Sequence, residues 1–145
     1  MGSVKWSFKA MMAAFADTFY YLALLNPTDE AHQRASALSE KRRGRVVTTA
    51  WVLTEVADAL CEPANRLVFA RLIESLRSDP NTEVVPPDED LFDRGLDLYA
   101  RRPDKAWSLT DCISFVVMTD RGLTEALTGD HHFEQAGFRA LLGPS

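Results

Sequence analysis

Short apolar or β-branched runs alternate along this chain with longer segments of helical spacing. The runs lie near residues 10–16, 45–49, 82–86, 124–130 and 138–142, and helix-like segments lie between them. Strands joined through helices pair in parallel, by right-handed crossovers. The alternation therefore predicts an α/β layer with a largely parallel central sheet.

The clearest helix boundaries lie between Pro27 and Gly44. Thr28–Glu30 follows the proline, and the segment ends in the basic cluster Lys41–Arg43. Acidic residues at the start and basic residues at the end of a helix interact favourably with its dipole. We predict a helix that begins near Thr28. Other helices are predicted over residues 18–25, 50–60, 64–78, 87–102 and 108–122.

Length and charge limit the class of protein. The 145 residues are 46% hydrophobic, which predicts one domain over residues 1–145, with residues 1–9 as an extension or a disordered segment. Lys and Arg number 16 against 21 for Asp and Glu, so the net charge is −5. This balance argues against a protein that coats nucleic acid by bulk positive charge, although local binding through cations is compatible with it.

The location is predicted from cysteine usage and from apolar runs. Cys61 and Cys112 both lie in apolar helix-like segments, which favours buried, reduced thiols and a cytoplasmic location. The apolar stretch near the N-terminus ends at Asp17, so it makes a poor secretory signal. No run approaches the roughly 18 apolar residues of a membrane helix, and we expect no membrane partner.

Four carboxylates interrupt or end otherwise apolar segments. Asp17 follows the first strand, Asp130 follows the fourth, Glu55 lies inside a helix and Asp111 lies in the most apolar helix. An unpaired buried carboxylate is costly, so each needs a partner. Ligands of open parallel sheets bind outside the carboxyl ends of the strands, where we expect all four acids to face.

Each acid also has a structural explanation when it is taken singly. Asp17 and Asp130 are candidate helix N-caps, Ser108 and Asp111 have the spacing of a capping box, and Glu55 suits a solvated helix position. Taken together, four acids at one end of a sheet would repel one another without a divalent cation. Oxygen ligands without cysteine favour Mg²⁺ or Mn²⁺ over Zn²⁺, so the joint pattern predicts a metal site.

Metal ions held by carboxylates can lower the pKa of a bound water, orient it towards a phosphodiester and stabilise the leaving oxygen. Such a site needs no nucleophilic side chain. The sequence shows no glycine-rich phosphate loop, no G-x-S-x-G elbow and no H-E-x-x-H zinc motif. Metal-assisted hydrolysis of a phosphodiester is therefore the predicted chemistry.

Other polar residues near the acids leave alternatives open. His131 and His132 follow Asp130, and on a helix they would point about 100° apart, so we do not expect them to share one ion. A polar helix start or a substrate contact is the favoured use. The basic patches at residues 41–45 and 101–105 suit solvated helix ends or contact with a nucleic-acid backbone, and Trp107 suits core packing or base stacking.

Three stretches together resemble a known family. "FADTFYYLALLNPTDEAHQRA", "TTAWVLTEVADAL" and "WSLTDCISFVVMTDRGLTEALTGDHHFEQAGF" are similar in order and spacing to PIN domains, and among these to the VapC-like group of small single-domain nucleases. The resemblance covers nearly all of the chain after Phe15. Its most specific part is the last stretch, with Asp111 followed by Thr128, Asp130 and Phe133 as T-x-D-x-x-F.

The resemblance implies a three-layer α/β sandwich with a five-stranded parallel sheet flanked by helices. It implies that Asp17, Glu55, Asp111 and Asp130 form an acidic cluster that binds Mg²⁺ or Mn²⁺ and cuts RNA. By the same resemblance Thr18 steadies the site, and Ser108 and Thr110 occupy the polar positions before the third acid.

The family resemblance further implies a ribonuclease toxin paired with a small antitoxin protein, and a homodimer. All four acids are present, which favours an active enzyme. Three alternatives remain open at this stage: a non-catalytic PIN-like module that binds RNA or protein, a nuclease that processes RNA without being a toxin, and a phosphatase with Asp17 as nucleophile. The last lacks the second Asp of the common D-x-D arrangement.

Overall fold

The computed structural model describes residues 13–143. Within this range, five strands alternate with seven α-helices. The strands are β1 (Ala14–Ala16), β2 (Val46–Thr49), β3 (Thr82–Val85), β4 (Glu125–Leu127) and β5 (Arg139–Ala140). The helices are α1 (Thr18–Leu25), α2 (His32–Lys41), α3 (Ala50–Ala59), α4 (Arg66–Ser78), α5 (Glu89–Arg101), α6 (Leu109–Arg121) and α7 (His131–Gln135), and a 3₁₀ turn at Pro63–Asn65 precedes α4. The extension predicted at residues 1–9 and the predicted start of the first strand lie outside the described residues.

The strands form one sheet in the order β3-β2-β1-β4-β5, and every neighbouring pair is parallel. The predicted five-stranded parallel sheet flanked by helices is therefore confirmed. β4 and β5 are shorter than the apolar runs that predicted them. The chain builds β2 and β3 on one side of β1 and then crosses to build β4 and β5 on the other.

β1 is the central strand and its side chains are fully buried. Ala14, Phe15 and Ala16 each expose 0% of their surface, and the strand pairs with β2 on one edge and with β4 on the other. Such a strand meets apolar side chains on both faces, so its sequence is continuously apolar rather than alternating. Phe15 packs against Phe133 of α7 with ring centroids 6.3 Å apart.

The helix predicted to begin near Thr28 begins instead at His32. Asn26 Oδ1 accepts hydrogen bonds from the backbone N–H of Thr28 at 3.1 Å and from its hydroxyl at 2.7 Å. Asp29 Oδ1 accepts from the backbone N–H of Ala31 at 2.8 Å. These local bonds give the backbone an alternative to the helical ladder, which is why the acidic turn precedes the helix.

Helix α6 has strong signals at both ends. Ser108 Oγ accepts from the backbone N–H of Asp111 at 2.9 Å, and Asp111 Oδ2 accepts from the backbone N–H of Ser108 at 3.1 Å. This pair is a capping box, with Asp in the place of the usual Glu or Gln. The helix ends at Gly122, whose φ of 66° lies in the left-handed region that glycine adopts without strain.

Two expectations about the surface can now be compared with the structure. Cys112 is buried, but Cys61 is exposed, so the expectation of two buried thiols was wrong for Cys61. It lies two residues beyond the end of α3. Among residues 13–143, no helix combines the length and the apolarity that a membrane span requires.

Helices α5 and α6 pack closely where Gly95 faces Ile113. Gly95 is buried, and a Cβ atom added there would overlap the Ile113 side chain and lie 3.2 Å from the Ile113 Cα and backbone N. Because backbone atoms form part of the obstacle, a rotamer change alone cannot make room. The glycine therefore sets the distance between the two helices.

We expect Gly95→Ala to lower the free energy of unfolding by about 1–2 kcal/mol. Overpacking typically costs about 1–3 kcal/mol, which outweighs the gain of up to about 1 kcal/mol in helix propensity. Asp93→Ala, at an exposed position of the same helix, is the matched control and should change stability by less than about 0.5 kcal/mol. Urea unfolding measures both variants, and equal midpoints would contradict the packing argument.

Candidate metal centre

The predicted site residues gather where the order of the sheet reverses. β1 and β4 are neighbours in space, although 108 residues separate the last residue of one, Ala16, from the first of the other, Glu125. Asp17 directly follows β1, and Asp130 lies three residues after β4. At such a point the connections that follow the two strands run in opposite directions, which leaves a crevice outside the ends of the strands. Open parallel sheets bind their ligands in this crevice.

The four predicted acids line one cavity of about 360 Å³ in this crevice. The cavity is bordered by Asp17, Glu55, Asp111 and Asp130, together with Thr18, Ser108 and His132. No Lys or Arg is among the described residues that border it. The structure thus brings together acids that lie far apart in sequence, and the protein itself supplies little positive charge to offset them.

A larger cavity of about 430 Å³ lies at the other end of the sheet, beside Val46 and Thr82 at the starts of β2 and β3. Asp79 is the one carboxylate among the described residues that border it. This cavity is larger, but its side chains offer a cation one carboxylate, whereas those of the smaller cavity offer four. We therefore take the smaller, acidic cavity as the functional site.

Asp17 is the most buried of the four acids, with 4% of its surface exposed. It occupies the N-cap position of α1, yet its carboxylate makes no capping hydrogen bond. Its Oδ2 instead accepts from the hydroxyl of Thr128 at 3.0 Å. Burial raises the pKa of Asp17 to about 7; the Thr128 hydroxyl opposes this shift, and the carboxylates of Asp111 and Asp130 add to it.

Asp111 has a structural and a site position at once. The same Oδ2 that closes the capping box with Ser108 lies 3.2 Å from Nδ1 of His132. Burial raises the pKa of Asp111, and the Asp130 carboxylate adds to that rise. The Ser108 backbone N–H and the His132 ring lower it in part. The capping explanation and the site explanation, which the sequence left as alternatives, therefore both hold geometrically.

Asp130 is also a true N-cap. Its Oδ1 accepts from the backbone N–H of His132 at 2.9 Å, and its own backbone N–H donates to the Thr128 hydroxyl at 3.0 Å. Thr128 thus ties together the two strand-end acids, since it also donates to Asp17. The sequence indicated Thr128 only as the first letter of a T-x-D spacing and did not reveal this link.

Glu55 is half-buried in α3, and its Oε1 accepts from the Thr18 hydroxyl at 2.6 Å. This short bond orients the carboxylate towards the cavity, so Glu55 is not a merely solvated helix position. Ser108 borders the cavity as well. Thr110 is not among the described residues that line it, and its backbone carbonyl accepts from the Ser114 hydroxyl at 2.9 Å within α6.

The expectation that His131 and His132 diverge too far to share an ion was wrong. Their ring centroids are 4.5 Å apart, and Asp130, His131 and His132 each offer one ligand atom within 4.8 Å of the other two. The 100° offset applies to Cβ directions, whereas rotation about the side-chain torsions brings the rings together. Sequence spacing alone does not contain that information.

Trp107 belongs to the core. It is 6% exposed, its ring meets Phe115 edge-on at 5.0 Å, and its indole N–H donates to Gln135 at 3.0 Å. Core packing is therefore its use in this structure, and the base-stacking alternative requires an exposed face that it lacks. Several arginines of the basic patches pair with acids, as Arg102 does with Asp104 at 2.9 Å.

The donor set fits a hard divalent cation. Four carboxylates border one small cavity, and burial together with mutual repulsion raises the pKa of two of them, Asp17 and Asp111. Oxygen ligands of this kind suit Mg²⁺ or Mn²⁺, whose charge would offset the repulsion. The chemistry of the donors that line the cavity therefore suits such an ion.

Comparison with known families agrees with this fold. The family model described as "PIN domain" matches residues 14–139, and the chain belongs to the PIN domain family. The match spans β1 to β4, the first residue of β5 and the four acids.

The similarity extends to one particular group of toxins. The chain is 28% identical over 124 residues to proteins named 23S rRNA-specific endonuclease VapC20 from two strains of Mycobacterium tuberculosis, a match that covers 86% of this chain and 94% of the relative. The crystal structure titled VapC20, Sarcin-Ricin loop cleaving toxin, from the same species superimposes with a TM-score of 0.78 at 27% identity. That match covers 86% of this chain and 95% of the other.

We expect Asp17→Asn to stabilise the metal-free protein at about pH 8 by a few kcal/mol, at about 1.4 kcal/mol per pKa unit. The carboxyl has a pKa of about 7 in the folded chain against 3.8 ordinarily, so the folded state keeps its proton longer. The free energy of unfolding therefore falls as pH rises from 3.8 towards 7, and the asparagine variant escapes that loss.

Urea unfolding in a chelator, at about pH 4 and about pH 8, measures this difference. The gain in the free energy of unfolding of Asp17→Asn over the wild type should be small at the lower pH and large at the higher pH. Asp58→Asn, which removes an exposed carboxylate on α3, is the control and should show little gain at either pH. A gain of equal size at both values would show that the buried charge is not its cause.

Proposed function

We propose that this protein is a Mg²⁺- or Mn²⁺-dependent endoribonuclease and the toxin of a toxin–antitoxin pair. Asp17, Glu55, Asp111 and Asp130 are its catalytic and metal-binding residues, with Thr18 and Ser108, which also border the cavity, in supporting positions. The single observation that carries the proposal is the meeting of four carboxylates around one cavity without a neighbouring Lys or Arg among the described residues.

The first part of the argument concerns charge. A cluster of this kind weakens the fold unless something positive enters it, because burial and neighbouring carboxylates raise the pKa of Asp17 and of Asp111. Proteins retain such unfavourable clusters mainly where chemistry requires them. An enzyme that binds a cation together with its phosphodiester substrate has that requirement.

The second part concerns what the residues of the chain do. The hydroxyl of Thr128 holds the Asp17 carboxylate, and that of Thr18 holds Glu55, so both acids have fixed orientations before any substrate binds. The capping box holds Asp111. A bound divalent cation would supply the positive charge that polarises a phosphodiester and favours ionisation of water.

The substrate and the partners are proposed from the similarity to VapC20. That relative is named as a 23S rRNA-specific endonuclease and titled as a toxin that cleaves the sarcin-ricin loop. We propose a structured ribosomal RNA as the substrate of this chain, and an RNA hairpin of the sarcin-ricin loop as the first one to test. We further propose a small antitoxin as its inhibitor, a homodimer as its assembly and the cytoplasm as its location.

We expect Asp17→Asn and Asp111→Asn each to lower the rate of RNA cleavage on the order of 100-fold, because each removes a charge from the cation-binding cluster. The measurement is cleavage of the labelled hairpin with Mg²⁺ or Mn²⁺ and with a chelator. Asp58→Asn serves as the matched charge control, and circular dichroism checks that all variants fold.

The outcomes separate the candidate functions. Cleavage that needs the metal and is lost in both variants supports the proposal. Cleavage that survives in both variants contradicts the assigned site. If the wild-type protein binds the hairpin but cuts no RNA with Mn²⁺ present, a non-catalytic PIN-like module is favoured. Hydrolysis of a small phosphate monoester without RNA cleavage would favour a phosphatase.

We expect Thr18→Val to lower cleavage about 10- to 100-fold, the size of effect seen when the partner that orients a metal ligand is lost. Valine has nearly the shape of threonine but cannot donate to Glu55. Thr18→Ser keeps the hydroxyl and should retain most of the activity, so the pair isolates the 2.6 Å hydrogen bond from packing. Equal rates for the two variants would contradict a role for this bond.

A further inference from the structure

Three potential ligand atoms lie close together at the edge of the acidic cavity, at the start of α7. Nδ1 of His131 lies 3.7 Å from Oδ1 of Asp130, and Nδ1 of His132 lies 3.3 Å from the same oxygen. Nδ1 of His132 also lies 3.2 Å from Oδ2 of Asp111. Two imidazole nitrogens and one carboxylate oxygen therefore lie within 4.8 Å of one another, and the Asp111 carboxylate lies beside His132.

These separations match those around a tetrahedral zinc ion. Zinc lies about 2.0–2.1 Å from nitrogen and carboxylate oxygen, which places tetrahedral ligands about 3.3 Å apart. The two separations measured among Asp130, His131 and His132 are 3.3 and 3.7 Å.

The chemistry of the ligands distinguishes this group from the carboxylate cavity. Imidazole nitrogen suits Zn²⁺ and its neighbours among the transition metals, whereas carboxylate oxygen suits Mg²⁺ and Mn²⁺. The His131 side chain is 72% exposed, so an ion has an open path to the group from solvent. These two histidines are adjacent in sequence, whereas the H-E-x-x-H zinc motif places its histidines one helical turn apart.

We propose that Asp130, His131 and His132 form a site for Zn²⁺ that inhibits the enzyme, with a water molecule as the fourth ligand. This inference rests on the proposed function, because Asp130 serves both sites. An ion held at the histidine pair would occupy Asp130 and leave the catalytic cavity with one carboxylate fewer. Zn²⁺ and Mg²⁺ then compete, and Zn²⁺ lowers the rate of cleavage.

The direct experiment measures metal binding and needs no RNA. Isothermal titration calorimetry gives the Kd of the metal-free full chain for Zn²⁺, and Co²⁺ serves as a spectroscopic substitute, since tetrahedral Co²⁺ absorbs visible light far more strongly than octahedral Co²⁺. We expect a tetrahedral Co²⁺ spectrum. We also expect His131→Gln and His132→Gln each to raise the Kd for Zn²⁺ about tenfold or more.

The remaining histidine provides the control. His32 belongs to α2, where its Nδ1 bonds the backbone carbonyl of Ala23 at 2.8 Å, and His32→Gln should leave the Kd for Zn²⁺ unchanged within about twofold. His131→Ala provides a second variant at an exposed position, where the fold is insensitive to the change. An octahedral Co²⁺ spectrum, or a Kd that is the same in wild type and in the double variant H131Q/H132Q, would overturn the proposal.

A second arm links binding to activity. The Zn²⁺ concentration that halves cleavage is measured at fixed Mg²⁺, with each protein compared with its own uninhibited rate. It should rise about tenfold or more in His131→Gln and should rise with Mg²⁺ in the wild type. If the protein cleaves no RNA, the proposed function fails while the binding arm still decides whether the zinc site exists. Binding without inhibition would remove the regulatory part of the proposal.

Discussion

Repulsion among the carboxylates of Asp17, Asp111 and Asp130 is the constraint on which the rest of the structure depends. Each of the three has a fixed hydrogen-bond partner, so none can turn away into solvent to relieve the repulsion. Thr128 is the centre of this arrangement because a single hydroxyl accepts from one end of the cluster and donates to the other. The fold therefore holds an electrostatically unfavourable group in place, as a preorganised cation site requires.

Much of the fold could be predicted because the signals are local and periodic. Short apolar strands separated by helices specify a parallel sheet, and an acid that directly follows a buried strand must lie at the edge where ligands bind. Asp17 and Asp130 were placed by this reasoning alone. Glu55 and Asp111 were expected at the same edge as well, but a helix pattern does not specify which way one polar side chain points, and the family resemblance strengthened that expectation.

The parts that the sequence did not reveal depend on side-chain torsions and on contacts between distant segments. The start of α2 moved to His32 because Asn26 and Asp29 bind nearby backbone groups, a competition that charge patterns do not indicate. The rings of His131 and His132 approach each other through rotations that helical geometry leaves free. The bond from Thr18 to Glu55 joins residues 37 positions apart and exists only once α1 and α3 have packed.

The capping box at Ser108 and Asp111 has a consequence for how this enzyme could lose its activity over generations. Asp111 holds the first turn of α6 as well as a corner of the cavity, so a mutation there affects folding and chemistry together. Asp17 makes no capping bond, and its ionised form is unfavourable in the folded chain. In a lineage no longer selected for cleavage, we therefore expect Asp17 to be replaced before Asp111. Inactive descendants should then retain the helix cap at Asp111 as a trace of the lost function.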